Sequence, residues 1–305
     1  MALADLSLGL KLTIPMNSQT ESVLFIGHGE WSQKVSNIIV ASGSRLKPVV
    51  ISARDFLSTE KQALPEGLIL EDFNFIWITT FPDLQIKILE KLRDLNSKIV
   101  IEKPIALTLA HIEQLNSILP KIRSSVYLSQ PWTFSKLWVS ASRQILREHE
   151  NLEICALRVG ELERKMISPS LDWIPHELYL LASLMHSKEL GNESLKLLSS
   201  RGSSKEIYLD YQVGEDMTVN LQSGKSSSRR AYWRISVADQ IRLEIDFDSK
   251  RIKAREGVRE ITEEFDSDNP IMNMLENYRA FSSDVNWDLI FRLYSEAILA
   301  TGGER

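Results

Sequence analysis

From Ser22 to Gln130 the sequence alternates short apolar runs with stretches of helical spacing, and this alternation restricts the possible folds more than any other feature. Val23-Leu24-Phe25-Ile26, Pro48-Val49-Val50-Ile51, Phe75-Ile76-Trp77-Ile78 and Lys98-Ile99-Val100-Ile101 are nearly continuous in apolar character, as strands covered on both faces must be. Tyr127-Leu128 reads as the end of a fifth. Between them, Trp31, Val35, Ile38 and Ile39 keep a helical period that Gly43 stops. Pro82 opens a second helix bearing Ile88, Leu89 and Leu92, and Thr108 can cap a third bearing Ile112, Leu115 and Ile118. Strand and helix in strict alternation predict parallel βαβ units, which bind ligands at the carboxyl ends of their strands.

After a helical stretch around 134–149 the period changes to two. Residues 152–161, 206–213, 217–222, 229–237, 240–247 and 250–255 alternate polar and apolar side chains and are linked by short turns. That pattern predicts a mostly antiparallel sheet with one covered face. The Ser-rich stretch Ser223 to Ser228 reads as a mobile hairpin loop, and helices resume near Pro270. At the other end Leu6, Leu8, Leu10, Leu12 and Ile14 alternate with polar residues, which is consistent with an edge strand or with an unstructured leader. The expected organisation is an extension over 1–21, a Rossmann-like α/β domain over 22–130 and an α+β domain over 131–305, the last shaping a substrate cleft and a homo-oligomer contact.

Composition excludes several classes of function. Of 305 residues 43% are hydrophobic and 25% charged, so the chain can fill a core, and it lacks an apolar run long enough to span a bilayer. The net charge of −5 gives no general attraction for nucleic acid or anionic membrane. Cys155 is the only cysteine, which leaves no internal disulfide and no cysteine-based zinc site. His28, His111 and His186 have no partners at ligand spacing, so no metal is expected. With no secretory pattern at the start, a cytoplasmic protein is the expectation.

Gly27-His28-Gly29-Glu30-Trp31-Ser32 lies between the first strand and the first helix. Gly27 permits a tight turn, Gly29 lets backbone approach a pyrophosphate at the helix N-terminus, and Ser32 is small enough to replace a third glycine. His28 and Trp31 belong to the same turn, while Glu30 must point away from a phosphate. The second strand ends Ser52-Ala53-Arg54-Asp55. An NAD site places an acid there for the ribose, whereas neutral Ser52 and Ala53 followed by Arg54 suit a 2′-phosphate. NADP(H) is therefore preferred and NAD(H) remains possible, with Asp55 as the acid if the strand ends later.

Four segments together carry a family resemblance. Ile101-Glu102-Lys103-Pro104 follows the fourth strand, Thr79-Thr80-Phe81-Pro82 the third, Asp172-Trp173-Ile174-Pro175-His176 opens an apolar helix, and Asp268-Asn269-Pro270 starts a late one. In order and spacing these resemble the Gfo/Idh/MocA oxidoreductases, the relatives of glucose-fructose oxidoreductase and inositol dehydrogenase. The family's common histidine after the third strand is Gln85 here, and 129–134 lack the usual Asn/Arg-rich substrate segment. The resemblance implies a dinucleotide held near Thr79, Thr80, Glu102 and Lys103, a structural role for Glu102, and a cis bond before Pro104.

The chemistry of the residues agrees with that resemblance. Lys103 at a strand's carboxyl end can donate to a carbonyl oxygen, and its acidity rises when it is desolvated. Asp172 and His176 are four apart and share a helix face if Pro175 lies in its first turn, so His176 can exchange a proton that Asp172 helps to control. Lys103, Asp172 and His176 are accordingly the candidate catalytic set for hydride exchange at a hydroxyl or keto carbon of a sugar-like substrate. Reduction of an imine or tetrapyrrole-type substrate, and a non-catalytic dinucleotide sensor, stay open as alternatives. Arg229, Arg230 and Arg234 form either a basic strand face for a phosphorylated or nucleotide-linked substrate or a solvated edge. Trp132 and Trp138 either line the cleft or pack the core, and Tyr179 reads as core.

Overall fold

The computed structural model describes residues 21–58, 68–122, 124–148, 151–161, 167–280 and 285–302; the proposed strand Leu6 to Ile14 lies outside them. The first part runs β1 (Ser22–Ile26), α1 (Glu30–Ala41), β2 (Lys47–Ile51), α2 (Ala53–Ser58), β3 (Phe75–Ile78), α3 (Pro82–Leu92), β4 (Lys98–Ile101), α4 (Leu109–Ile118) and β5 (Ser125–Leu128). Among the described residues these strands make one five-stranded parallel sheet in the order β2-β1-β3-β4-β5. The apolar runs are buried on both sides: Val23 to Ile26 and Ile76 to Ile78 have no exposed surface. Crossing from β2–β1 to β3–β4 reverses the strand order, and the loops after β1, β2, β3 and β4 therefore converge above one edge of the sheet.

The second part runs α5 (Lys136–Arg147), β6 (Leu152–Gly160), α6 (Pro169–Ser187), β7 (Leu195–Gly202), β8 (Glu206–Val213), β9 (Met217–Lys225), β10 (Arg230–Val237), β11 (Gln240–Asp246), β12 (Arg251–Glu256), β13 (Arg259–Glu264), α7 (Pro270–Ala280) and α8 (Trp287–Ala300). Its described strands form an eight-stranded sheet, β13-β12-β11-β10-β6-β9-β8-β7, antiparallel except for β6 beside β9. One face is covered by α6 and the other is open. β6, β8, β9 and β10 therefore alternate buried with part-exposed residues. Trp138 is buried edge-on against Trp233, 5.0 Å between centroids, and its indole donates to Ser183 Oγ; it is core rather than cleft.

Three details differ from the sequence expectation. The Ser223–Ser228 stretch is not a hairpin tip: β6 lies between β9 and β10, so the connection crosses the end of β6, with Ser226 N–H bonded to Gly160 O at 3.0 Å and Ser223 fully buried. α6 begins at Pro169, capped by Ser168 Oγ, which accepts from Leu171 N–H; Pro175 therefore lies inside the helix and not in its first turn. Arg229, Arg230 and Arg234 do not make one face. Arg234 lies over the Tyr232 ring and is paired to Glu244 at 2.6 Å, whereas Arg229 precedes β10 and lies near Trp173 of α6.

The two sheets are tied by the last two helices. Ile271, Met272, Met274, Leu275 and Tyr278 of α7 join Val23, Phe25, Val35, Ile39, Phe75, Trp77, Val100 and Tyr127 in one apolar cluster. Each such side chain contributes roughly 1.5–3 kcal/mol when fully buried. Lys98 Nζ donates to Tyr278 O and Arg279 O, and the Tyr127 and Tyr278 rings meet at 4.3 Å. Among the described residues no helix is long and apolar enough to cross a membrane.

Candidate active site

The glycine turn has the geometry its sequence calls for. Gly27 adopts φ +130°, and its N–H bonds to Ile51 O at 2.9 Å. A Cβ there would lie 2.6 Å from Thr79 Oγ1 and 2.8 Å from Thr79 O, so both conformation and space demand glycine. Thr79 closes the contact from its side, its hydroxyl donating to Gly27 O at 3.1 Å. Gly29 caps α1 through its backbone alone, and a Cβ on it would meet nothing within 4 Å. Ser32 is fully buried and bonds to Gly29 O at 2.8 Å, while His28 and Glu30 are exposed. A phosphate fits this arrangement, because the first-turn N–H groups of α1 have no side-chain cap and the space before them is open. Thr80 Oγ1, buried at the end of β3 without a partner among the described residues, is a further polar atom that a bound dinucleotide would satisfy.

Beyond β2, Ser52 Oγ donates to Asp55 Oδ2 at 2.7 Å and accepts from Asp55 N–H at 3.0 Å. Ser52 thus caps the start of α2 through Asp55 N–H, and Asp55 is engaged by the same hydroxyl. Arg54 stands exposed in the first turn of the same helix.

The loop after β4 is held by a buried carboxylate. Glu102 Oε1 accepts from Trp31 Nε1 at 2.5 Å, Trp77 Nε1 at 2.9 Å and Ser129 Oγ at 2.5 Å, and Oε2 accepts from Lys103 N–H at 3.2 Å. Burying an ionised carboxylate costs several kcal/mol, so these donors are what make the position tolerable. Burial nevertheless dominates and raises the Glu102 carboxyl above its ordinary range, against the lowering effect of Ser129, Trp31, the Lys103 charge and Trp77. Gln85, fully buried where the family commonly has histidine, donates to both Thr80 O and Glu102 O at 2.8 Å. It thereby locks the β3 loop to the β4 loop. The bond between Lys103 and Pro104 is cis.

Lys103 reaches across to α6. Its Nζ lies 2.8 Å from Asp172 Oδ1 and 2.8 Å from Asp172 O, an ion pair whose side chains are 14% and 2% exposed. Pro175 lacks the N–H that would serve Leu171 O, one residue before the carbonyl that Lys103 bonds. His176, half-buried, follows Asp172 by one turn on the same face. Tyr179, one turn further, is buried and bonds hydroxyl to hydroxyl with Tyr294 of α8 at 2.8 Å, and Tyr294 accepts from Ile105 N–H at 3.4 Å. Burial raises the Tyr179 hydroxyl well above its ordinary range, with the neighbouring Tyr294 adding to the effect. Behind α6, Glu177 accepts from Arg158 and Trp233, and Arg158 lies over Trp132 and Phe247.

The structure thus joins Lys103 to Asp172, with His176 one helical turn after the aspartate, and it turns Trp31 toward Glu102. Sequence reasoning did not find Ser129, Tyr294 or Trp173 as parts of this neighbourhood. The signal for Ser129 was its place directly after β5, and for Trp173 its place inside the Asp172–His176 segment; Tyr294 carried none.

No family profile matches the sequence, and no curated protein matches it in sequence. Solved structures do match in fold. UDP-N-acetylglucosamine 3-dehydrogenase GnnA from Acidithiobacillus ferrooxidans is 14% identical, with a TM-score of 0.71 over 93% of this chain and 97% of that one. The aldose-aldose oxidoreductase of Caulobacter crescentus is 14% identical, with a TM-score of 0.72 over 93% and 98%. A Gfo/Idh/MocA family oxidoreductase from Vibrio cholerae is 15% identical, with a TM-score of 0.65 over 92% and 96%. With a parallel five-stranded sheet followed by a mostly antiparallel eight-stranded one, and these matches over more than nine-tenths of its length, the chain has the Gfo/Idh/MocA oxidoreductase fold.

Proposed function

We propose that this chain is an NADP(H)-dependent oxidoreductase that moves hydride between the nicotinamide and a hydroxyl-bearing or keto carbon of a sugar or sugar derivative. The observation that carries the reading is the Lys103–Asp172 ion pair, which joins the carboxyl end of β4 to α6 across 69 positions, one helical turn before His176. The bound dinucleotide supplies the hydride donor or acceptor. Asp172 aims the Lys103 ammonium, so that it donates to the substrate oxygen as that oxygen becomes a carbonyl. His176 takes the hydroxyl proton, or returns it in the reverse direction. The uncapped turn at Gly27–Gly29 and the Thr79–Thr80 loop are assigned to the diphosphate, and Arg54 to a 2′-phosphate, since Asp55 is engaged by Ser52. The structural neighbours named for sugar dehydrogenation and aldose oxidoreduction favour a sugar-like substrate. The open face of the eight-stranded sheet is assigned to a homo-oligomer contact.

The test is turnover of NADP with a panel of sugars and keto-sugars, followed through nicotinamide absorbance. His176→Ala and Lys103→Met should each lower the rate on the order of 10²–10⁴-fold while NADPH still binds, and the histidine variant should flatten the pH profile. Dinucleotide binding with no turnover of any candidate, unchanged by either substitution, would favour the sensor instead.

A further inference from the structure

One group of donors beside Lys103 has no part in the chemistry above. Trp173 follows Asp172 on α6 and packs on Gly160 at the end of β6, where a Cβ would come within 2.7 Å of the indole. Lys103 Nζ lies 5.8 Å from the ring centroid and Arg229 Cζ lies 5.9 Å from it, so the two cations are separated by no more than these distances combined. Arg229 Nε lies 2.7 Å from Asp248 Oδ1, an ion pair in which the arginine side chain is 58% exposed. Among the described residues its terminal nitrogens have no hydrogen-bond acceptor. Trp173 Nε1 is buried and likewise has no acceptor among the described residues. A buried indole N–H left unpaired costs free energy that a ligand oxygen would recover. The chain as a whole carries a net charge of −5, so nothing general draws an anion here.

We propose that Arg229 and Trp173 form an anion subsite at the substrate cleft, and that the substrate is a sugar derivative carrying a phosphate or carboxylate group. The oxyanion takes the two terminal nitrogens of Arg229, whose planar fork suits it, and a neighbouring substrate oxygen accepts from Trp173 Nε1. The reacting carbon then falls toward Lys103. This last step rests on the oxidoreductase reading; the anion subsite itself does not.

Calorimetry on the full chain tests it, with inorganic phosphate, a hexose phosphate, a hexuronate and the neutral hexose as probes. The hexose phosphate or the hexuronate should bind at least about tenfold more tightly than the neutral hexose, and which of the two binds better identifies the anion. Arg229→Gln should abolish that preference, a loss of about 10–100-fold, and Arg229→Lys should lose part of it. Trp173→Phe keeps the ring but removes the N–H, and should weaken the hexose phosphate several-fold while leaving inorganic phosphate unchanged. Unchanged NADPH affinity in each variant shows an intact fold. Equal affinity for charged and neutral probes, a preference that survives Arg229→Gln, or no binding of either charged sugar overturns the proposal. Failure of NADPH to bind the unaltered protein would instead sink the oxidoreductase reading and leave the anion preference measurable.

Discussion

Removing Lys103 should cost more stability than removing the charge of its partner, and the cost should shrink when both go. At 2.8 Å the gross attraction within the pair is about 6 kcal/mol at an effective dielectric constant of 20, and the desolvation of both ions offsets most of it. What remains unequal is exposure: the Asp172 side chain is 2% exposed and that of Lys103 14%. Lys103→Met strands a carboxylate away from water and should destabilise by about 3–4 kcal/mol. Asp172→Asn keeps an oxygen for the ammonium, which also retains its bond to Asp172 O, and should cost about 1–2 kcal/mol. The double variant has no stranded charge and should be more stable than Lys103→Met alone, giving a coupling of at least about 1–2 kcal/mol, the cost of Asp172→Asn itself. Urea unfolding of the four proteins at neutral pH measures each value, provided the denaturant slope is unchanged. Costs that add to within about 0.5 kcal/mol, or an aspartate variant worse than the lysine one, would refute the argument.

Three further outcomes follow from the same geometry. Because burial lifts the folded-state Glu102 carboxyl above its usual 4.5, the native state binds more protons there than the unfolded chain does. The protein should therefore lose stability relative to Glu102→Gln as pH rises from about 4.5 through the folded value; unfolding at several pH values reads the difference, and a constant gap would contradict it. Arg54→Ala should weaken NADPH about tenfold and leave NADH unchanged in fluorescence titrations, and tighter NADH binding by the unaltered protein would overturn the cofactor assignment. Gly27→Ala should lower stability by at least about 2 kcal/mol in thermal unfolding, since the added carbon meets Thr79 backbone at 2.8 Å under a φ of +130°; a loss within about 0.5 kcal/mol would refute that strain.

The parallel strands were legible because burial on both faces leaves an apolar run, and the Gly27–Gly29 turn because its strand and helix flank it. Lys103, Asp172 and His176 were legible only as motifs in order. That the lysine and aspartate touch is a tertiary fact, produced by α6 lying over the end of β6 and reaching back to the β4 loop. β7 and β13 escaped detection for a common reason. They are the two outer strands of the larger sheet and carry mostly exposed residues, Lys196 and Ser199 to Gly202 in one and nearly all of Arg259–Glu264 in the other, so no period of two marks them. The start of α6 was misjudged because Pro169 and Pro175 both look like first-turn prolines, and only the Ser168 cap distinguishes them. Trp31 reads as part of the phosphate turn, yet its indole bonds to a carboxylate 71 positions away, a pairing that requires β3 between β1 and β4.

The place of α7 has a consequence for how the chain is made. One flank of the first sheet, with Phe25, Trp77, Val100 and Tyr127, is closed by Met274, Leu275 and Tyr278, and the Tyr278 hydroxyl bonds to Leu128 O across 150 positions. At synthesis rates of about 5–20 residues per second, that flank waits roughly 8–30 s after β5 is complete before its cover exists. During this interval the nascent sheet presents Phe25, Phe75, Trp77 and Tyr127 to whatever else is nearby. A ribosome-bound chain stalled before residue 270 should consequently be a chaperone client, while the full chain tethered through an added C-terminal linker long enough to bring α7 out of the exit tunnel should not.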